Sequence, residues 1–156
     1  MYTRKTILLM ALLSISVGLA AADDPLIGTW KLNLAKSKFD PGPAPKSQVN
    51  KYEPSGANGV KRIQDLVNAK GEASHSEVSY TFDGKDNLET VGRGFDSSMS
   101  RRMDANTTER IAKKDGKVVN TLRRVVSKDG KTMTVTQKGT DVQGKLFNNL
   151  EIYDKQ

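Results

Sequence analysis

The chain has no cysteine among its 156 residues. That excludes a disulfide framework, thiol nucleophiles and thiolate metal ligands, and leaves nothing to lipidate at a cleavage point. Histidine is nearly as scarce, since His75 stands alone. A catalytic zinc takes two or three histidines as a rule, so no metal site is expected. Aromatic residues make up 6% of the chain, with one tryptophan, too few for the stacking platforms that hold single-stranded nucleic acid. Charge of one sign never accumulates: lysines and arginines stand singly or in pairs beside acids, as in Lys113-Lys114-Asp115, and no block of about five like charges forms. No nucleic-acid partner is expected.

The only long apolar run is at the start. In Met1 to Ala22, Arg4 and Lys5 precede an apolar stretch from Ile7 to Val17, and small residues end it at Ala20-Ala21-Ala22. This is the pattern of a secretory signal peptide. The run contains Ser14 and Ser16 and is shorter than the roughly 20 apolar residues of a spanning helix. A signal helix over residues 1–22, a periplasmic or secreted product and no stable membrane span after cleavage are therefore expected. Taking 22 residues from 156 leaves 134, and the formal charge falls from +7 to +5 with the loss of Arg4 and Lys5. Residues 23–156 are enough for one domain with one core. The modest positive excess would suit weak attraction to an anionic envelope surface.

What the remaining chain has is glycine turns at short, nearly even spacing: Asn58-Gly59, Lys70-Gly71, Asp83-Gly84, Asp115-Gly116, Asp129-Gly130 and Gln143-Gly144, with Asp104-Ala105-Asn106 in the widest gap. Such spacing leaves room only for strands. Asp-Gly accepts the positive φ angles of a hairpin, and the intervening segments are rich in Val, Thr, Ile and Tyr. Val60, Ile63, Leu66 and Val67 recur at helical spacing, but glycine turns bracket them and a strand is assigned. Asp40-Pro41-Gly42-Pro43-Ala44-Pro45 cannot join a ladder and is read as a loop.

Turn chemistry also predicts register. A two-residue loop at Asp129-Gly130 sets Val126 opposite Met133, Arg124 opposite Val135 and Leu122 opposite Gln137. A two-residue loop at Gln143-Gly144 sets Val135 opposite Ile152 and Gln137 opposite Leu150. Together they predict one apolar face of Leu122, Val126, Met133, Val135, Leu150 and Ile152, with Thr134, Thr136, Glu151 and Tyr153 turned away. Val78, Tyr80 and Phe82 alternate with Glu77, Ser79 and Thr81 in the same manner. The expected architecture is all-β, an antiparallel up-and-down meander of eight to ten strands that closes to remove its exposed edges. A barrel of that size holds packed side chains or one small ligand.

Gly28-Thr29-Trp30, on the first strand, resembles the G-x-W tripeptide that opens the barrel in the lipocalin and fatty-acid-binding-protein superfamily. Further stretches are similar to a group of small exported bacterial lipocalin-like proteins without an assigned role: Lys31-Leu32-Asn33, Lys36-Ser37-Lys38-Phe39, Pro41-Gly42-Pro43, Arg123 to Ser127, Asp129 to Thr136 and Tyr153-Asp154-Lys155-Gln156. The resemblance covers most of residues 26–156 and implies a lipocalin-like barrel domain. It also implies an arginine from a late strand packed over the first-strand tryptophan, and Arg124 is the match. The sequence departs from the lipocalin T-D-Y motif, since Val142 follows Thr140-Asp141.

Trp30 should share the inward face with Gly28, Leu32 and Leu34. Arg124, costly to bury unpaired, should stack on Trp30 or meet a carboxylate or carbonyl. Trp30, Arg124, Tyr80 and Val135 are the candidate ligand contacts. His75, in the polar segment Glu72 to Ser76, reads as an exposed loop residue: no G-x-S-x-G elbow accompanies Ser74 or Ser76. Gly92-Arg93-Gly94 lacks the Lys-Ser/Thr of a phosphate loop, and each acidic turn is a lone carboxylate without the converging oxygens of a calcium site. No catalytic residue and no cofactor are expected, and an enzyme is not favoured. Two readings follow. One is a barrel that binds a small apolar or amphipathic ligand; the other is a packed-core structural or interaction protein of the cell envelope, working through its basic outer face or sheet edge.

Overall fold

The computed structural model describes residues 24–88, 95–141 and 143–156; the leader expected over 1–22 and Gly92-Arg93-Gly94 lie outside them. Ten strands run in chain order: β1 (Gly28–Leu32), β2 (Ser47–Pro54), β3 (Gly59–Val67), β4 (Ala73–Thr81), β5 (Asp83–Leu88), β6 (Ser97–Arg102), β7 (Thr107–Lys114), β8 (Lys117–Val126), β9 (Thr132–Thr140) and β10 (Leu146–Lys155). All ladders are antiparallel, and the order around the sheet is β4-β3-β2-β1-β10-β9-β8-β7-β6-β5. The β1–β10 ladder, with Leu32 opposite Tyr153, joins the first of these strands to the last. The expected meander is thus present as a nearly closed barrel, with its two free edges at β4 and β5.

Glycine turns make most of the hairpins, and the segment with helical spacing at Val60 to Val67 is a strand paired on both sides. Asp83-Gly84 does not make one. Phe82 is buried, and its backbone is tied on both sides to Asn58. The chain therefore turns inward at Phe82 and crosses to the far edge of the sheet, where Asp83 pairs with Arg101 on β6.

Period-two alternation gives the barrel a packed floor. Trp30, Leu32, Tyr52, Val60, Phe82, Val126, Met133, Val135 and Tyr153 form one buried cluster with Leu26. Each such side chain contributes roughly 1.5–3 kcal/mol on burial. Trp30 is fully enclosed and donates its Nε1–H to the Leu26 carbonyl at 2.9 Å. Leu34, expected beside it, is 41% exposed because the chain leaves β1 into a single 3-10 turn over Leu34–Lys36. After that turn Lys38 and Asp40 bond back to the upper part of β10, so the proline loop begins at the open end of the barrel.

The β8–β9 register is as expected, with Val126 opposite Met133, Arg124 opposite Val135 and Leu122 opposite Gln137. The β9–β10 register is not. Val135 faces Glu151, not Ile152, and Gln137 faces Asn149, not Leu150. The Asp141 carboxylate accepts the amides of Gln143 and Lys145, and the Asp141 amide bonds the Lys145 carbonyl. The loop therefore closes on Asp141 and Lys145 with an odd number of residues between them. A one-residue slip flips every side chain of the strand, so Glu151 and Tyr153 are buried while Leu150 is 39% exposed.

Candidate functional site

Above the floor the inward rows change character. The positions that follow Tyr52, Val60 and Val135 toward the open end are Asn50 and Gln48, Arg62 and Gln64, and Gln137. They enclose a chamber of about 310 Å³, also lined by Phe95, Arg110, Asn120, Leu122, Arg124, Glu151 and Tyr153. Part of its polar lining is mutually satisfied: Gln64 donates to Asn50 at 3.1 Å, and Gln48 donates to the Tyr153 hydroxyl at 2.7 Å.

Arg124 is the central charge. It is 4% exposed and points inward from β8. Its Nε donates to the Tyr52 hydroxyl at 3.1 Å, and its guanidinium carbon lies 5.8 Å from the ring centroids of both Tyr52 and Tyr80. No carboxylate of the described residues comes within ion-pair distance of it. The only carboxylate lining the chamber among the described residues is Glu151, which accepts the Tyr153 hydroxyl. Burial raises the Glu151 pKa, against the opposing pull of that hydrogen bond and of Arg124 and Arg62. Burial, reinforced by the Glu151 charge, also lifts the Tyr153 phenol well above its ordinary value, which keeps it a donor.

Arg110 stacks over Phe95 at 5.0 Å and donates to Ser98 at 3.2 Å. Arg62 forms no hydrogen bond or ion pair with any described residue, and its Nε is buried. The hydroxyls of Tyr80 and Thr108 are likewise buried without a partner among the described residues. Burial pushes the Tyr80 phenol up to about 12, although Arg124 pulls the other way.

Toward the open end lies a wider vestibule of about 890 Å³ between Pro41 and the upper ends of β8, β9 and β10, with Val118, Val119, Leu146 and Phe147 on its walls. Asn120 lines both spaces, so the apolar vestibule meets the polar chamber there.

Of the four residues singled out from sequence, Arg124 and Val135 line the chamber. Tyr80 lies against Arg124, with its ring edge-on to Phe82. Trp30 is in the floor. The expected Trp30–Arg124 stack is absent: Lys155 covers the tryptophan at 5.1 Å, while Arg124 reaches across to the tyrosines. His75 is exposed but on β4, where its Nδ1 meets Asp65 at 2.7 Å. Sequence reasoning missed Arg62 and Glu151. Arg62 was within reach, because it alternates with the inward Val60; Glu151 was hidden by the register slip.

No family model matches the chain, and no curated protein matches it in sequence. Solved structures do match in shape. The fluorescent protein UnaG is 16% identical with a TM-score of 0.56, covering 83% of this chain and 96% of that one. As-p18, an extracellular fatty acid binding protein, is 14% identical with a TM-score of 0.54, covering 85% of this chain and 97% of that one. The chain therefore shares the β-barrel fold of these two structures.

Proposed function

We propose that the protein is an exported binding protein that holds one small amphipathic anion, with its charged end against Arg124 in the chamber and its apolar body in the vestibule. The observation that carries this reading is Arg124 itself: a buried cation whose nearest partners are neutral phenols, beside a polar chamber that meets an apolar opening. A floor packed to the top of the barrel would have left no such space. As-p18 is a fatty acid binding protein of the same fold, which supports a ligand in the barrel. The sequence pattern of residues 1–22 supports export to the periplasm or beyond, and cell fractionation with an antibody to the chain checks it.

Calorimetric titration with decanoate and with decanol separates the terms of the proposal. Saturation by decanoate at one per chain, with decanol far weaker, is the expected result. Equal affinity for the two would remove the role given to Arg124, and no binding of either would count against a barrel ligand altogether.

A further inference from the structure

We infer that the head group taken by this chamber is a tetrahedral oxyanion, a sulfate, sulfonate or phosphate ester, bridged between Arg62 and Arg124. The inference rests on reading the chamber as a ligand site and names the chemistry it selects. Three buried donors lack an acceptor among the described residues: Arg62 Nε, the Tyr80 hydroxyl and the Thr108 hydroxyl. Arg62 lines the chamber together with Arg124, while Tyr80 and Thr108 neighbour Arg124 outside that lining. The Tyr80 ring lies 5.8 Å from the Arg124 guanidinium carbon, Thr108 is the cross-strand partner of Arg124 on β7, and Arg62 is the cross-strand partner of Tyr52, whose hydroxyl accepts the Arg124 Nε–H.

Buried donors in native proteins almost always find acceptors, from the chain or from a bound species. Among the described residues Arg124 is offered one neutral oxygen, that of Tyr52, and Arg62 none. Arg124 reaches from β8 to tyrosines on β2 and β4, and this carries its charge toward the wall that bears Arg62 on β3. Two cations are thereby drawn to one end of the chamber with no carboxylate of the described residues bonded to either. Glu151 is engaged by Tyr153 and acts on both only through its field.

The shape of the head group follows from the direction of the donors. A planar carboxylate presents two oxygens along one edge and matches the fork of one guanidinium. A tetrahedral ester presents three oxygens that diverge, so one can face Arg124 while another faces Arg62, both of which line the chamber. One added charge-assisted hydrogen bond corresponds to about tenfold in affinity.

The test is a calorimetric series with decanoate, decyl sulfate and decyl phosphate, which share one tail, on the full chain and on Arg62→Gln. The expected result is that sulfate and phosphate both bind about tenfold tighter than decanoate, and that Arg62→Gln brings all three within about twofold. Decanoate binding as tightly as the esters overturns the inference and leaves the carrier reading in place. Preference for the phosphate alone, present near pH 8 and lost near pH 5, where it is singly charged, shows selection by charge and overturns the tetrahedral geometry. Absence of binding by all three overturns both readings. The wild-type series decides the matter even if the Arg62 variant does not fold.

Discussion

Arg124 has almost no contact with solvent and cannot lose its proton, so the chain must tolerate a permanent charge at the base of its chamber. Tolerance of that kind is weak ground for a stabilising role, because replacing a buried charge by an apolar group of similar volume is often neutral. Arg124→Leu is accordingly expected to stay within about 1.5 kcal/mol of wild type in chemical denaturation. Its affinity for decanoate is expected to fall by thirtyfold or more, about the loss of one desolvated charge contact. A variant that unfolded, or that bound as well as wild type, would move Arg124 from the site to the scaffold. Glu151 carries a prediction of the opposite kind. Its pKa is raised on folding, so between the ordinary carboxylate value of about 4.3 and that raised value the folded state holds the extra proton. The Glu151 contribution to stability is then present below this window and is lost as pH rises through it. The stability of wild type relative to Glu151→Gln should decline over that range, and a difference that is flat with pH would show the group to be unshifted. These two residues also mark what could be read from sequence. Arg124 was placed because the Asp129-Gly130 turn next to it is a short, regular hairpin, whereas Glu151 depends on a turn whose length is set by a side chain.

At the scale of elements, that side chain is Asp141. Its carboxylate takes two backbone amides, and Asp141→Ala should cost about 1–2 kcal/mol, measured as a shift in the urea midpoint without a change of slope. The β7–β8 pair shows a second device. The register shifts between Ala112 and Lys113, where Val118 and Asn120 are the partners on β8, so Val119 is the extra residue of a bulge. Its carbonyl closes on Gly139: a Cβ there would stand 2.2 Å from the Val119 oxygen. Gly139→Ala must push the bulge away and should destabilise by about 1–3 kcal/mol. Because Val119 and Gly139 both line the vestibule, the same variant should weaken ligand binding, and undisturbed stability would show that the bulge yields freely. Bulges and side-chain-closed turns leave little trace in a single sequence. Regular alternation does leave one, which is why Val78, Tyr80 and Phe82 could be placed inward while the β10 face could not.

For the whole molecule, the strand count, the all-β class and the joining of the first strand to the last follow from turn spacing and from the cost of bare edges. The place where the barrel stays open does not follow, because it is set by Phe82 being drawn into the floor at a point where Asp83-Gly84 reads as a hairpin. The division of the interior is a property of the assembled barrel. Apolar inward residues cluster toward the Trp30 end, polar ones gather above them, and the apolar vestibule comes last. A ligand that spans the last two parts ties together strands from both sides of the β4–β5 opening. Saturation at a hundredfold excess over Kd should stabilise the fold by about 2.7 kcal/mol and raise Tm by several degrees, read by differential scanning calorimetry. Trp30, enclosed in the floor, should report little of that binding in its fluorescence.

The central claim is that the buried arginines of the chamber contact the ligand, and arginine side-chain NMR tests it most directly. With the Nε–H signals of Arg62 and Arg124 assigned through Lys variants, titration with a decyl anion should shift both and saturate at one ligand per chain. Saturable binding that left both signals in place, or shifts that grew without limit alongside those of surface lysines, would contradict it.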